Sequence, residues 1–291
     1  MRLTRVLTGT VLLLAMFCAP SLMAMSDQQY LLAMAAMHMH DAPVTNPVSE
    51  AKPARPVQHT EVVYATVNGK AVRGYLAEPL HAKGSLPGII VIHEWWGLNA
   101  NIRSMADQLA GEGYAALAVD LYGGQAAATP AEAEKLMGGV LAHTDAAADN
   151  LRQAYAYLHD TLHASRIGVI GWCFGGGWSL QTALMLPDKI DATVMYYGRP
   201  VDDVAALSKL KMPLIGFFGE QDKGITVQDV RAFQKALKAA NVDAEIHEYP
   251  DAGHAFANPS GENYRPKAAT DAWRRTLSFF AHYLKNAPAG S

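Results

Sequence analysis

Arg166 to Trp178 reads R-I-G-V-I-G-W-C-F-G-G-G-W, and this stretch narrows the possible folds more than any other in the chain. Ile167 to Ile170 is a short apolar run of the kind that forms a buried strand. Gly171-Trp172-Cys173-Phe174-Gly175 follows in the form G-x-C-x-G, and a helix-forming run, Trp178 to Leu186, comes after it. Strand, tight turn and helix is the context of a nucleophile elbow. The sharp turn projects its central side chain at the carboxyl edge of a sheet, and the flanking glycines let other backbone pass close by. The start of the following helix carries unpaired N–H groups and partial positive charge, which favour a thiolate. The usual residue at the centre is Ser; here it is Cys173.

The rest of the chain alternates strand and helix around this point. Thr60 to Glu78 reads as a β-hairpin turning at Asn68-Gly69, a strong type I′ signal. Strands are expected at Pro87–His93, Ala115–Leu121, Ile190–Tyr197, Pro213–Gly219 and Ala244–Tyr249. Helices are expected at Asn101–Gly113, Pro130–Leu141, Asp145–Leu162, Val201–Leu207, Val227–Ala240 and Thr270–Leu284. This alternation specifies an α/β fold: a mostly parallel sheet with helices on both faces and an antiparallel hairpin at its front.

The first residues have a different character. Arg2 and Arg5 precede an apolar run, Val11 to Phe17, and Ala24 offers a small residue for cleavage. That is a secretory signal pattern, too short in its apolar part to span a bilayer. The expected layout is a signal peptide over 1–24, an arm and linker over 25–59, and one α/β domain over 60–287, exported and, from the composition of the signal, periplasmic. Cleavage near Ala24 would remove Cys18 and leave Cys173 as the mature chain's one thiol, which excludes an internal disulfide. Stable membrane insertion after cleavage is not expected. The net charge of −3 comes with no Lys/Arg block, so nucleic acid is not an expected partner. The sequence is silent on oligomeric state.

Met25 to Met39 reads either as a short amphipathic helix packed outside the domain or as a loose arm. His38-Met39-His40-Asp41 within it has the look of a metal tract, but two histidines without further ligands do not make a site, and the segment reads as a mobile one. Ala42 to Pro56, rich in Pro, Ala and Ser, reads as a linker or extended wrap.

Sites in open α/β sheets form beyond the carboxyl ends of the strands. The polar residues just past each expected strand are therefore the candidates. Cys173 is the expected nucleophile and His254, in the D-A-G-H-A-F loop after the last strand, the expected base. Asp222 is the expected group that orients the imidazole, with Glu220 as its competitor. The chain order Cys, Asp, His is that of the α/β hydrolases. The backbone N–H groups of Phe174 and Trp95 are expected to form the oxyanion hole. Glu94 stands beside them at the mouth of the site, as a working carboxylate or as an ion-pair partner. Trp95, Trp96, Trp172, Tyr122 and Tyr197 are candidates for an aromatic pocket, some of them core packing instead.

Together, G-W-C-F-G-G, H-E-W-W-G-L-N, D-L-Y-G, G-x-x-D and A-G-H-A-F resemble the dienelactone hydrolase family, from about Val63 to Leu284. The resemblance implies an α/β-hydrolase fold, a Cys173–His254–Asp222 triad, and attack on enol-lactones without metal or organic cofactor. It also implies that Glu94 holds the resting thiol and takes its proton when substrate binds. Two arginines that grip a substrate carboxylate in that family are missing: Gly123-Gly124 stand in one place and Asn258 in the other. A carboxylate clamp is therefore absent where the family would put it. Arg199, past a neighbouring strand, is a candidate substitute charge or a plain surface arginine.

The expected function is a hydrolase of lactones or activated, enol-type esters acting through a thioacyl-enzyme. The competing reading is a non-catalytic binding protein on a retired hydrolase fold. A redox thiol protein is disfavoured because no C-x-x-C is present. His93-Glu94 lacks the second His of a metalloprotease, and Cys173 stands where a dinucleotide fingerprint needs Gly.

Overall fold

A computed structural model describes residues 26–43 and 51–285. The signal-peptide reading falls on residues outside the described ones. A two-residue turn joins β1 (Val57–Val67) to β2 (Lys70–Pro79), with Asn68 and Gly69 both at positive φ (50° and 75°), as a type I′ turn requires. β3 (Gly88–Ile92), β4 (Ala115–Val119), β5 (Ile167–Trp172), β6 (Ala192–Tyr196) and β7 (Leu214–Gly219) are buried at every position. Strands that bury both side-chain faces read as continuous apolar runs and need cover on both sides. β8 (Ala244–Tyr249) closes the far edge and is only partly buried.

The strands form one 8-stranded sheet in the order β1-β2-β4-β3-β5-β6-β7-β8. β1–β2 and β2–β4 pair antiparallel; the five pairs from β4–β3 through β7–β8 are parallel. The order reverses around β3, which lies between β4 and β5, so the crevice expected at such a switch point opens beside the elbow strand. All the parallel strands end at one edge. Their following loops gather there.

The helices are α2 (Ala100–Gly111), α3 (Pro130–Leu141), α4 (Thr144–Ala156), α5 (Phe174–Met185), a short α6 (Val204–Leu207), α7 (Val227–Ala239) and α8 (Pro266–Phe280). Three differ clearly from expectation in where they start, α6 by beginning at Val204 rather than Val201, after the Asp203 cap. α5 begins at Phe174, directly after Cys173, because Gly175, Gly176 and Gly177 are helical rather than loop. α8 begins at Pro266 rather than Thr270; its first turn buries nothing deeply and shows no apolar stripe, but proline suits that position.

The N-terminal arm is a helix, α1 (Asp27–Met37), and not a loose segment. Its start is fixed by a capping box: Ser26 Oγ accepts from Gln29 N, and Gln29 Oε1 accepts from Ser26 N. Tyr30 and Met34 are buried on its inner face. Leu31 packs at Gly138 of α3, and Met34 and Met37 pack at Gly224, beyond β7. The wrap that follows presses Pro53 and Ala54 against Gly111 of α2.

Candidate active site

The elbow is built as its glycines require. Cys173 has φ 54° and ψ −119°, a conformation that costs a non-glycine residue about 1–3 kcal/mol. A Cβ on Gly171 would lie 2.0 Å from the Gly175 carbonyl oxygen, and one on Gly175 would lie 2.4 Å from the carbonyl oxygens of Ile92 and His93. Neither position accepts a side chain. The strained turn sets the Cys173 side chain at the head of α5. Phe174 is the first residue of that helix, so its N–H is among those with no partner inside it.

His254 Nδ1 lies 2.6 Å from Asp222 Oδ2, both residues buried. The other carboxylate oxygen, Oδ1, accepts from Gly224 N and Ile225 N at 2.8 and 2.9 Å. This leaves Nε2 of His254 to face Cys173. Glu220, the competitor, is exposed. Its carboxylate lies outside the buried cluster, because the chain turns at Asp222 N→Gly219 O and carries only Asp222 inward.

Cys173 Sγ and one ring nitrogen each of His254 and His38 all lie within 4.8 Å of one another. His38 was read from the sequence as part of a mobile segment. Instead it is 2% exposed, with its ring 4.7 Å from that of Trp95 and its Nδ1 2.7 Å from Asp41 Oδ2. Met34 Sδ lies 3.6 Å from Cys173 Sγ. The arm therefore roofs the site, and the cysteine is 1% exposed.

The electrostatics follow from this crowding. Burial pushes the Cys173 thiol up, but His254 and then His38 outweigh it and hold the thiol at about 6. Burial pulls His254 down, while Asp222 and then Cys173 raise it well above the usual histidine range. Burial pushes Asp222 up, and His254 more than offsets it, so Asp222 stays below the usual carboxylate range. A thiolate–imidazolium pair oriented by a carboxylate is the resulting state. Burial and then the charge of Cys173 raise Glu94 to about 8, against the lowering influence of His38 and His254.

Glu94 is held by neighbours other than the thiol. Asn258 Nδ2 donates a short hydrogen bond to Glu94 Oε2, and Tyr197 OH donates to Oε1 at 3.4 Å. Asn258, standing where the resemblance implies an arginine, is thus the partner of Glu94. Below it, His93 Nδ1 donates to the Glu94 carbonyl at 2.6 Å, and His93 Nε2 accepts from Leu121 N at 3.2 Å. That pair ties the loop after β3 to the loop after β4.

The aromatic pocket read from the sequence is not an open one. Trp96 is 2% exposed and packs edge-on against Trp95. Tyr122 OH donates to the Trp95 carbonyl at 3.0 Å, and its ring packs on His93 and Phe174. Tyr197 is fully buried beside His254. These rings support the loops that carry the site. Arg199 is neither a free surface charge nor aimed at the thiol. It pairs with Asp27 of α1 at 2.5 Å and lies over the Tyr30 ring at 5.3 Å, so it pins the arm. A cavity of about 570 Å³ lies beside this contact, lined by Asp27, Tyr30, Phe174, Trp178 and Arg199 among others, with Cys173 outside it.

Comparison with known proteins agrees with this architecture. The model of the dienelactone hydrolase family matches residues 72–284. "Protein usf" of Aquifex pyrophilus is 37% identical over 224 residues, covering 75% of this chain and 96% of its own. The Aquifex aeolicus protein named "Putative carboxymethylenebutenolidase" is 33% identical over 225 residues, covering 75% and 96%. The crystal structure of a "Putative Dienelactone Hydrolase" from Klebsiella pneumoniae superposes with a TM-score of 0.71 at 30% identity, covering 79% of this chain and 100% of that one. The arm lies before the matched residues. The chain belongs to the dienelactone hydrolase family of α/β hydrolases, and it is a hydrolase of the ester- and lactone-cleaving kind.

Proposed function

We propose that the chain cleaves neutral lactones and activated, enol-type esters through a Cys173–His254–Asp222 triad. The observation that carries this is the Asp222–His254 bond of 2.6 Å, which turns Nε2 of a buried imidazole toward a cysteine on the elbow. Asp222 keeps the imidazole in one tautomer and stabilises its protonated form. The Cys173 thiolate attacks the substrate carbonyl. The oxyanion that forms is met by the N–H of Phe174 and that of Trp95. Collapse breaks the C–O bond, and the leaving enolate or alkoxide takes the proton from His254. His254 then removes a proton from water, whose oxygen attacks the thioester. Loss of the carboxylic acid restores the thiolate and the imidazolium. A thiolate leaves a tetrahedral adduct more readily than an amine does, so simple amides should be poor substrates.

Substrate reaches the thiol when α1 moves, because Met34 and His38 cover it. Displacing Tyr30 would join the cavity beside Phe174 and Trp178 to the nucleophile. Export on the pattern of residues 2–24 is part of the same proposal, and amino-terminal sequencing of protein from a periplasmic fraction tests it. The hydrolytic reading is tested with p-nitrophenyl acetate and a panel of small lactones, on wild type, Cys173→Ala and His254→Ala. Equal rates in all three would end it; an acyl adduct on Cys173 seen by mass spectrometry would support it.

A further inference from the structure

Four soft or nitrogenous donors meet under the arm. Cys173 Sγ and a ring nitrogen from each of His38 and His254 form the one cluster of metal-ligand spacing among the described residues, all three within 4.8 Å of one another. Met34 Sδ adds a fourth donor 3.6 Å from the thiol sulfur. Each imidazole is held on its far side by a carboxylate, His38 by Asp41 at 2.7 Å and His254 by Asp222 at 2.6 Å. A carboxylate on Nδ1 orients each ring and turns its Nε2 toward the sulfur, and it is the arrangement that supports histidines bound to metal. Both Nε2 atoms are buried with no nitrogen or oxygen partner, and each imidazole is turned to the Cys173 sulfur. Two buried nitrogens converging on one sulfur, a weak hydrogen-bonding partner, have the arrangement of a ligand set. Water suits the place poorly, since two of the four groups are sulfur, which hydrogen-bonds weakly.

We propose that the closed arm completes a binding site for a single thiophilic metal ion, held by Cys173, His38, His254 and Met34, with Cu⁺ favoured. Thiolate and thioether select Cu⁺, and imidazole is compatible with it. Zn²⁺ takes thiolate, imidazole and carboxylate but has no use for the thioether of Met34. Bond lengths of about 2.0–2.3 Å set tetrahedral donors about 3.5 Å apart, so binding would draw the arm inward by about an ångström. Protons held between the thiol and the imidazoles leave to solvent as the metal–sulfur bond forms. The metal keeps its oxidation state. The site rests on the geometry of the arm and stands whether or not Cys173 attacks esters.

The test is anaerobic titration of the full chain with Cu⁺ against bicinchoninate, with a parallel Zn²⁺ titration. One Cu⁺ should bind per chain and protect Cys173 from iodoacetamide. Cys173→Ser and His38→Gln should each weaken Cu⁺ by about 100-fold, and Asp41→Asn by about 10- to 100-fold. Met34→Leu should weaken Cu⁺ and leave Zn²⁺ unchanged. His40→Gln, at an exposed neighbour, should change little. Circular dichroism of each variant checks that it folds, and protection of the wild-type thiol needs no variant. Cu⁺ affinity equal in wild type and Cys173→Ser, or alkylation unchanged by saturating Cu⁺, would overturn the site. Cu⁺ affinity indifferent to Met34→Leu would overturn the assignment to copper.

Discussion

Met34 Sδ touches the sulfur of Cys173 across 139 positions of sequence, at 3.6 Å. Cys173 is covered by a helix that precedes the residues matched by the family model. The arm's attachment includes the Arg199–Asp27 pair and the stack of Arg199 on Tyr30. Asp27 is half-exposed, so the ion pair contributes little, and the cation–π contact adds a comparable share. Arg199→Ala should therefore release the arm by about 1 kcal/mol and raise the rate of Cys173 alkylation about three- to tenfold. A rate equal to wild type would mean that other contacts hold the arm closed.

The thiol, held at about 6 by His254 and His38, should remain a thiolate well below the pH at which a free cysteine loses its charge. The alkylation rate per accessible thiol should be flat above about pH 7 and fall as pH drops through about 6. His254→Ala removes the larger lowering influence and should move the inflection upward; His38→Gln should move it upward by less. An inflection that stays put in His254→Ala would show that the imidazole does not set the thiolate.

Asp222 and Glu220 share one loop, yet only Asp222 reaches the imidazole. Asp222→Asn would favour the wrong tautomer of His254 and should lower kcat by roughly 10³- to 10⁴-fold on an activated ester. Glu220→Gln should leave kcat within about twofold, as surface substitutions away from such features do. A comparable loss in both variants would remove Asp222 from its assigned role.

The sheet was legible because β3 to β7 are short apolar runs, which only a buried parallel sheet accommodates, and the hairpin was legible in Asn68-Gly69. Cys173, Asp222 and His254, which the fold brings together, were legible as candidates because each follows a strand end. The start of α5 was not, because Gly175 to Gly177 resemble a loop until the close approach of Ile92 and His93 backbone explains the first of them. The arm could have been sharpened by the S-D-Q-Q capping pattern at Ser26, and His38 by Asp41 three residues on. What α1 covers had no local signal. Only Tyr30 and Met34 of it are fully buried, and nothing in an eleven-residue helix states which loop 139 positions away it will meet. Which aromatics line a cleft had no local signal either: an aromatic residue past a strand end can line a cleft or brace a loop, and Trp96 and Tyr122 brace loops.

Glu94 combines deep burial with two donors, Asn258 Nδ2 and Tyr197 OH. Glu94→Ala would strand both and should destabilise the fold by about 2–4 kcal/mol, whereas Glu94→Gln keeps most of the contact. The pH dependence has a definite sign. A carboxyl raised to about 8 in the folded state favours folding most when protonated, below its unfolded value, and that contribution is lost as pH rises toward 8. The melting temperature of wild type relative to Glu94→Gln should therefore decline as pH goes from about 5 to 8. A constant difference would show that Glu94 is ionised throughout.

The two positions where the family resemblance places carboxylate-gripping arginines offer no cation in this chain. Gly123 and Gly124 adopt φ 66° and 88°, and Gly124 N is committed to Asp120, so that loop presents an acid and backbone rather than a guanidinium. Asn258 is committed to Glu94, and Arg199 to Asp27. An anionic substrate would meet the Glu94 carboxyl and the Asp27 carboxylate with no bidentate partner to offset its desolvation. A neutral five- or six-membered lactone should accordingly be cleaved with a kcat/KM at least about tenfold above that of its carboxylate-bearing analogue, a difference of about 1.4 kcal/mol in transition-state binding. The contrast should lie in KM more than in kcat, because the missing clamp would bind ground state and transition state alike. Raising the ionic strength should narrow it by screening the exposed Asp27. A preference for the anionic lactone would mean that the arm, once displaced, brings a cation to the site that the closed structure holds elsewhere.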